Sequence, residues 1–169
     1  MSAHVEILVG SKSDLPYLKE SSLTEELKRQ GVSYAVSVCS AHRNSKELAE
    51  RIDQTIDHTG AYVCAAGWAA ALPGAVKALL LGRSLASVYG IALPSEDYPN
   101  GEDAAISIQR LPPGIDVVFG GVSIDGFDKI APSVIADARS FDPNANLNEL
   151  QAIRDKIKPP QFDINLEEV

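Results

Sequence analysis

Three short segments of the sequence combine polar side chains with glycine or alanine directly after an apolar run. They are Gly10-Ser11-Lys12-Ser13-Asp14, Ser40-Ala41-His42-Arg43 and residues 66–74. Hydroxyl groups and free backbone N–H groups at a helix start bind phosphate oxygens, and arginine binds them with a planar pair of N–H donors. Histidine exchanges a proton near neutral pH. These residue types predict a site that holds a phosphorylated small molecule and moves a proton on it.

The first two segments also have purely structural interpretations. Ser11 and Asp14 are of types common at helix N-caps, and the GxGxxG spacing of a dinucleotide site is absent from this turn. His42 could cap a surface helix, and we expect His4 and His58 to be solvated because they lie near the terminus and a helix end. The residues alone leave capping and catalysis open.

The third segment is rich in alanine and glycine, which allow a backbone to approach a flat ligand closely. It contains Trp68, the only tryptophan. Its indole could cover an aromatic ring, although we expect it in the core or at a subunit contact.

The elements that must position these segments alternate between strand and helix. This alternation predicts right-handed crossovers and a parallel sheet covered on both faces. We predict an α/β fold, a three-layer αβα sandwich with a flavodoxin-like doubly wound parallel sheet and a C-terminal helical extension. In such a sheet ligands bind outside the carboxyl ends of the strands. The predicted strands are 5–10, 33–39, 61–66, 84–92 and 116–122, and the predicted helices are 14–30, 45–59, 69–81, 104–110, 124–140 and 148–156.

The 169 residues suit one core, with residues 1–142 as an α/β catalytic domain. Residues 143–169 form a predicted helix and a polar tail. We expect this extension to pack on a neighbouring subunit, the other interpretation being a frayed terminus.

The composition limits the classes of binding partner and the cellular compartment that we expect for this protein. The net charge of −8 argues against nucleic acid and anionic membranes as partners, but not against an anionic small molecule. Cys39 and Cys64 lie in apolar runs, as is typical of buried thiols in a reducing compartment. No signal peptide or membrane-spanning stretch is recognisable, which predicts a cytoplasmic protein.

Taken jointly, the segments resemble the aminoimidazole ribonucleotide carboxylase family, whose bacterial members are N5-carboxyaminoimidazole ribonucleotide mutases. The resemblance extends over roughly residues 4 to 140. Its motifs are the first two segments, Gly67-x-Ala69-Ala70-x-Leu72-Pro73-Gly74, and the later Ser107-Ile108-x-x-Leu111-Pro112-x-Gly114-Ile115.

The resemblance implies a role for each site residue and a purine-biosynthesis reaction. The ribose phosphate would be held by Ser11, Ser13, Ser40 and Arg43, and Asp14 would bind the ribose hydroxyls. His42 would transfer the proton at imidazole C4. No metal, biotin or nucleotide is implied as a cofactor. Family members are homo-octamers in which neighbouring subunits complete the pocket.

The third segment departs from the mutase pattern, which has histidine at the position of Ala71 and glycine at that of Trp68. Animal-type enzymes that use carbon dioxide directly also lack this histidine, but they usually carry lysine in place of Arg43 and asparagine near Ala70. The first two segments and Arg43 favour the mutase, which is the leading hypothesis, and Ala71 favours direct carboxylation, which is the alternative. A relative that carboxylates other ring-bearing nucleotides and a catalytically silent ribonucleotide-binding paralogue are further alternatives, and the setting of His42 argues against the former.

Overall fold

A five-stranded parallel sheet forms the centre of the molecule in a computed structural model that describes residues 3–160. Its strands are β1 (His4–Val9), β2 (Ser33–Val38), β3 (Ala61–Ala66), β4 (Ser87–Ala92) and β5 (Val118–Val122). They lie in the order β2-β1-β3-β4-β5, and every pair is parallel. This is the flavodoxin-like order, which confirms the predicted fold.

Helices cover both faces of the sheet. They are α1 (Leu15–Glu20), α2 (Leu23–Arg29), α3 (Ser45–Thr55), α4 (Leu72–Leu80), α5 (Glu102–Gln109), α6 (Ser123–Ser140) and α7 (Leu147–Arg154). Two buried apolar clusters fill the space between the layers. One contains Leu27 of α2 and Phe127 of α6, and the other contains Leu48 of α3 and Val76 of α4. Three layers with one core on each side of the sheet are therefore present, as predicted.

The predicted helix over 14–30 is wrong as a single element. A short 3-10 turn at Lys12–Asp14 precedes α1, and the chain breaks again between α1 and α2. At that break the Ser21 hydroxyl donates to the carbonyl of Leu18 (2.8 Å), and Ser22 donates through its N–H (2.6 Å) and its hydroxyl (2.8 Å) to the carboxylate of Asp128. Side-chain hydrogen bonds of this kind compete with the helical backbone pattern.

The C-terminal helix α7 lies against its own chain. Leu150 is buried, and Arg154 Nε donates to the carbonyl of Gly82 (2.5 Å). On the same segment Leu147 and Ile157 stay exposed. The rest of the predicted tail, from residue 161 onward, lies outside the described residues, and the division of the chain at residue 142 stays a prediction.

Both cysteines, Cys39 and Cys64, are buried thiols, as their apolar settings predict. Over the described range 3–160, no helix has the length and apolar character needed to cross a membrane.

Candidate functional site

The loops that follow β1, β2 and β3 meet at one edge of the sheet. Backbone hydrogen bonds continue past the strand ends and fix this arrangement, from Gly10 N to the carbonyl of Ala65 (3.0 Å) and from Cys39 N to that of Val9 (2.8 Å). Because β2 and β3 flank β1 on opposite sides, a crevice opens beyond its carboxyl end, where ligands bind in doubly wound sheets. A cavity of about 720 Å³ occupies this place.

All six residues proposed from the sequence as catalytic or substrate-binding line this cavity. They are Ser11, Ser13, Asp14, Ser40, His42 and Arg43. The structure therefore brings together side chains that are up to 32 positions apart in the sequence.

The loop after β1 is held by its own hydroxyl groups. Ser11 caps the 3-10 turn, and its Oγ accepts from the N–H of Ser13 (3.4 Å) and from the hydroxyl of Ser13 (3.0 Å). Capping by Ser11 and a position at the cavity are thus compatible.

Asp14 is the partly buried carboxylate of this loop. Burial raises its pKa above the usual value, while a hydrogen bond from the Ser11 backbone and the positive charge of Arg43 act in the opposite direction. A Cβ at Gly10 would lie 3.3 Å from Cβ of Ala66, a tight contact, and 3.5 Å from Oδ2 of Asp14, an ordinary one, so the glycine mainly eases the approach of this loop to the end of β3. The first and second loops are therefore coupled by charge as well as by position.

The loop after β2 presents one buried and two exposed functional groups. Ser40 is buried, its N–H donates to Oδ1 of Asn44 (3.3 Å), and its Oγ accepts from the N–H of Arg43 (3.4 Å). These bonds form a tight turn that ends at Asn44, the N-cap of α3. The turn leaves the side chains of His42 and Arg43 exposed at the cavity, free to contact a ligand.

The loop after β3 carries backbone strain at the cavity. Trp68 has a φ of 55°, a left-handed conformation that bulky residues rarely adopt. Its side chain is 55% exposed, so a position in the core is wrong, and it lines the cavity together with Ala69 and Ala71. Unusual backbone conformations of this kind concentrate at functional sites.

Sequence reasoning missed a fourth contribution to the cavity. The loop after β4 supplies Pro94, Ser95, Glu96 and Pro99, and Tyr17 of α1 completes the lining. The only sequence signal was the polar stretch 95–103. Its place at the cavity depends on the path of this loop, which passes close to the loop after β3: a Cβ on Gly67 would lie 3.2 Å from the carbonyl oxygen of Pro94. A sequence pattern does not give that path.

The other two histidines lie away from the cavity. His58 is exposed, as expected, but the expectation that His4 is solvated is wrong. His4 is half-buried, and its ring nitrogens contact Ser33 Oγ (2.8 Å) and Glu6 Oε1 (2.9 Å).

Comparison with known proteins identifies relatives of this chain. Residues 4–157 match the model of a family described as AIR carboxylase. The N5-carboxyaminoimidazole ribonucleotide mutase of Pyrococcus abyssi is 39% identical over 124 residues, which are 72% of this chain and 66% of that protein. That of Saccharolobus solfataricus is 37% identical over 120 residues, 67% of this chain and 68% of that protein. The matched part therefore spans about two thirds of the length of these relatives.

Solved structures agree on the fold. The crystal structure of Treponema denticola PurE is similar with a TM-score of 0.62 and 25% identity, covering 92% of this chain and 99% of that one. The crystal structure of a point variant of Treponema denticola PurE2 gives a TM-score of 0.64 at 24% identity, covering 94% and 100% of the two chains. The family match and these two relatives together show that the chain belongs to the AIR carboxylase family.

Proposed function

We propose that this protein is an N5-carboxyaminoimidazole ribonucleotide mutase of purine biosynthesis, which forms 4-carboxy-5-aminoimidazole ribonucleotide. The main support is that all six site residues implied by the resemblance line one cavity, at the edge of the sheet where ligands bind in this fold. The mutases that match the chain at 37–39% identity support the same reaction.

The cavity offers separate groups for the phosphate, the ribose and the ring. The hydroxyls of Ser11, Ser13 and Ser40 are hydrogen-bond donors, and Arg43 adds a positive charge; together they suit a phosphate. The carboxylate of Asp14 would accept hydrogen bonds from ribose hydroxyls. This arrangement would direct the imidazole ring toward His42 and the alanine-rich loop after β3.

His42 would carry the proton in both halves of the reaction. In the first half, the bond between the exocyclic nitrogen and its carboxylate breaks, carbon dioxide forms, and the nitrogen takes a proton from His42. In the second, C4 attacks the trapped carbon dioxide, the C4–H bond breaks, and its proton passes to His42, which regains the charge it had at the start. The protein's task would be to hold the ring against carbon dioxide and to keep water out. The small residues Ala69, Ala70 and Ala71 would let the loop after β3 approach the ring closely.

Direct carboxylation by carbon dioxide is the second candidate function, and Ala71 favours it. Ala71 lines the cavity at the position where the mutase pattern has a second histidine, so His42 is the only histidine among the lining residues within the described range. Direct carboxylation needs only the second half of the reaction, in which one proton is removed from C4.

A paired assay on purified protein separates these functions. One arm supplies N5-carboxyaminoimidazole ribonucleotide, the other supplies aminoimidazole ribonucleotide with bicarbonate, and both follow 4-carboxyaminoimidazole ribonucleotide. Turnover confined to the first arm supports the mutase, and turnover confined to the second supports direct carboxylation. Absence of turnover in both arms with ribonucleotide binding retained would identify a silent paralogue and overturn the proposal.

We further propose a cytoplasmic homo-octamer with a small-molecule substrate, in which residues 143–169 contact a neighbouring subunit. Leu147 and Ile157 of this segment and Trp68 at the cavity are exposed apolar side chains that a neighbouring subunit would cover. Light scattering should give about eight times the 18.0 kDa mass of the chain. A monomeric mass would contradict the proposed assembly, while the paired assay would still test the proposed reaction.

A further inference from the structure

Three side chains with metal-ligating atoms converge at the amino-terminal edge of the sheet, opposite the cavity. They are His4 and Glu6 of β1 and His58 in the turn after α3, and their ligand atoms all lie within 4.8 Å of one another. His4 and Glu6 are two residues apart in a strand and so point to the same face. The length of β1, six residues at about 3.3 Å each, separates this cluster from the cavity.

The hydrogen bonds of Ser33 determine which nitrogen of His4 faces the cluster. The Ser33 hydroxyl donates its single proton to the carbonyl of Ala3 (2.9 Å), so it must accept from His4 Nδ1 (2.8 Å). His4 Nε2 then points at Oε1 of Glu6, 2.9 Å away. Histidine ligands in metal sites are oriented in this way, with one ring N–H donated to a neighbouring group and the other nitrogen on the metal.

The contact between His4 Nε2 and Glu6 requires a cation between the two atoms, because a free nitrogen lone pair and a carboxylate oxygen repel each other. A proton satisfies the contact at 2.9 Å. A tetrahedral zinc ion with bonds of about 2.0–2.2 Å would place these two atoms about 3.3–3.5 Å apart, so this pair would have to open by about 0.4–0.6 Å. The exposed ring of His58, whose centroid lies 5.1 Å from that of His4, would be the third ligand.

Arg51 binds the same carboxylate and limits the affinity of this cluster for a metal ion. Its Nε donates to Oε2 of Glu6 (3.1 Å) and its Nη2 to Oε1 (2.9 Å), while Glu6 is only 1% exposed. A carboxylate has about four lone-pair positions, so the guanidinium and a metal can share it, but the positive charge of Arg51 lowers the affinity for a dication. Two imidazoles and one carboxylate suit zinc and its neighbours better than calcium or magnesium, which prefer oxygen ligands.

We propose that His4, Glu6 and His58 bind a first-row transition-metal dication, with Zn²⁺ as the favoured ion. Bound metal would tie the first residue of β1 to the turn after α3 and so stabilise the fold. The site is separate from the cavity, and its occupancy does not depend on the proposed function.

Full-length protein carrying no histidine tag and stripped of metal tests this proposal by titration with Co²⁺ and competition with Zn²⁺. We expect one equivalent of Co²⁺ with the visible spectrum of a nitrogen-ligated ion, and a melting temperature that rises with Zn²⁺. His58→Ala should weaken binding by at least about ten-fold and remove the rise in melting temperature. His4→Gln, which keeps a hydrogen-bonding group next to Ser33, should do the same.

His42→Asn is the matched control, because the chain has three histidines and His42 is the one outside the cluster. This variant should bind Co²⁺ as the unmodified protein does. Lack of specific Co²⁺ binding, or Co²⁺ binding that His58→Ala retains in full, would overturn the proposal and leave a proton between His4 and Glu6; loss of binding in His42→Asn would overturn it as well. Because His58 is exposed, its variant decides the question even if His4→Gln fails to fold.

Discussion

At the scale of single residues, His42 and Arg43 are neighbours with separable tasks. His42→Asn should lower turnover by about 10²–10⁴-fold, the range for loss of a proton-transfer group, because asparagine cannot carry the proton. The dissociation constant for the ribonucleotide should change little, since the phosphate ligands remain. Turnover in the paired assay and calorimetric binding measure the two effects. Near-normal turnover would remove His42 from the reaction.

Arg43 should contribute to binding through its charge. Arg43→Ala should weaken ribonucleotide binding by about 1.5–3 kcal/mol, or roughly 10- to 150-fold, because a charge-assisted hydrogen bond to the phosphate is lost. Arg29→Ala, at an exposed arginine of α2 paired with Glu26, is the matched control and should leave binding unchanged. An equal dissociation constant in Arg43→Ala and the unmodified protein would place Arg43 outside the phosphate site.

Trp68 allows strain and ligand contact to be measured separately. Trp68→Gly and Trp68→Ala both remove the indole, and each should weaken binding by about 2- to 12-fold if the ring covers the imidazole. Only glycine adopts the left-handed backbone conformation without strain. The free energy of unfolding should therefore be about 1 kcal/mol higher for Trp68→Gly than for Trp68→Ala. Urea unfolding and calorimetry measure these differences. Unchanged binding with a smaller assembly in both variants would instead assign Trp68 to a subunit contact.

At the scale of elements, the sequence predicts the ends of the strands, where the functional loops begin, more accurately than it predicts the ends of the helices. The predicted strands 61–66 and 33–39 match β3 and β2 to within one residue, because short β-rich runs between glycine and polar residues are local signals. The loops after them therefore lie where they were expected, and so do His42 and Arg43. The break between α1 and α2 was missed because Asp128, which holds Ser22, is 106 positions away in the chain.

Asp128 should therefore stabilise the start of α2. Asp128→Ala removes the acceptor of both Ser22 hydrogen bonds and should lower the free energy of unfolding by about 1 kcal/mol, as for the loss of a helix cap. Asp128→Asn keeps an oxygen acceptor and should recover part of this loss. Urea denaturation of the three proteins measures the difference. If Asp128→Ala is as stable as the unmodified protein, the contact does not hold the break.

At the scale of the whole molecule, strand order determines what the cavity contains. Loops after neighbouring strands share an edge, and β4 lies next to β3, so Ser95 and Glu96 join the residues of the first three loops. The predicted flavodoxin-like order already places β4 beside β3, but a sequence pattern does not give the path that a loop takes after its strand ends. This is why three loops of the site could be predicted and the fourth could not.

The buried polar groups of the core make the stability of the molecule fall at high pH. Burial raises the pKa of Tyr62 from 10.0 to about 12, and burial also raises the pKa of the Cys64 thiol and of Tyr89. Between pH 10 and 12 the unfolded chain has lost the Tyr62 proton and the folded chain keeps it. The folded state then binds more protons, so the free energy of unfolding decreases as the pH rises.

Tyr62 alone should account for roughly 2–3 kcal/mol of this decrease, since its pKa shift is about two units. Tyr62→Phe removes the ionisable group and should make the stability profile flatter between pH 10 and 12. The substitution also removes the contact with Thr55 Oγ1 (3.1 Å), so the variant should start from a lower stability near pH 8. Tyr98→Phe, at an exposed tyrosine, controls for the loss of a hydroxyl at the surface. Urea unfolding at intervals of pH measures all three profiles, and equal slopes for Tyr62→Phe and the unmodified protein would show that the alkaline loss of stability arises elsewhere in the core.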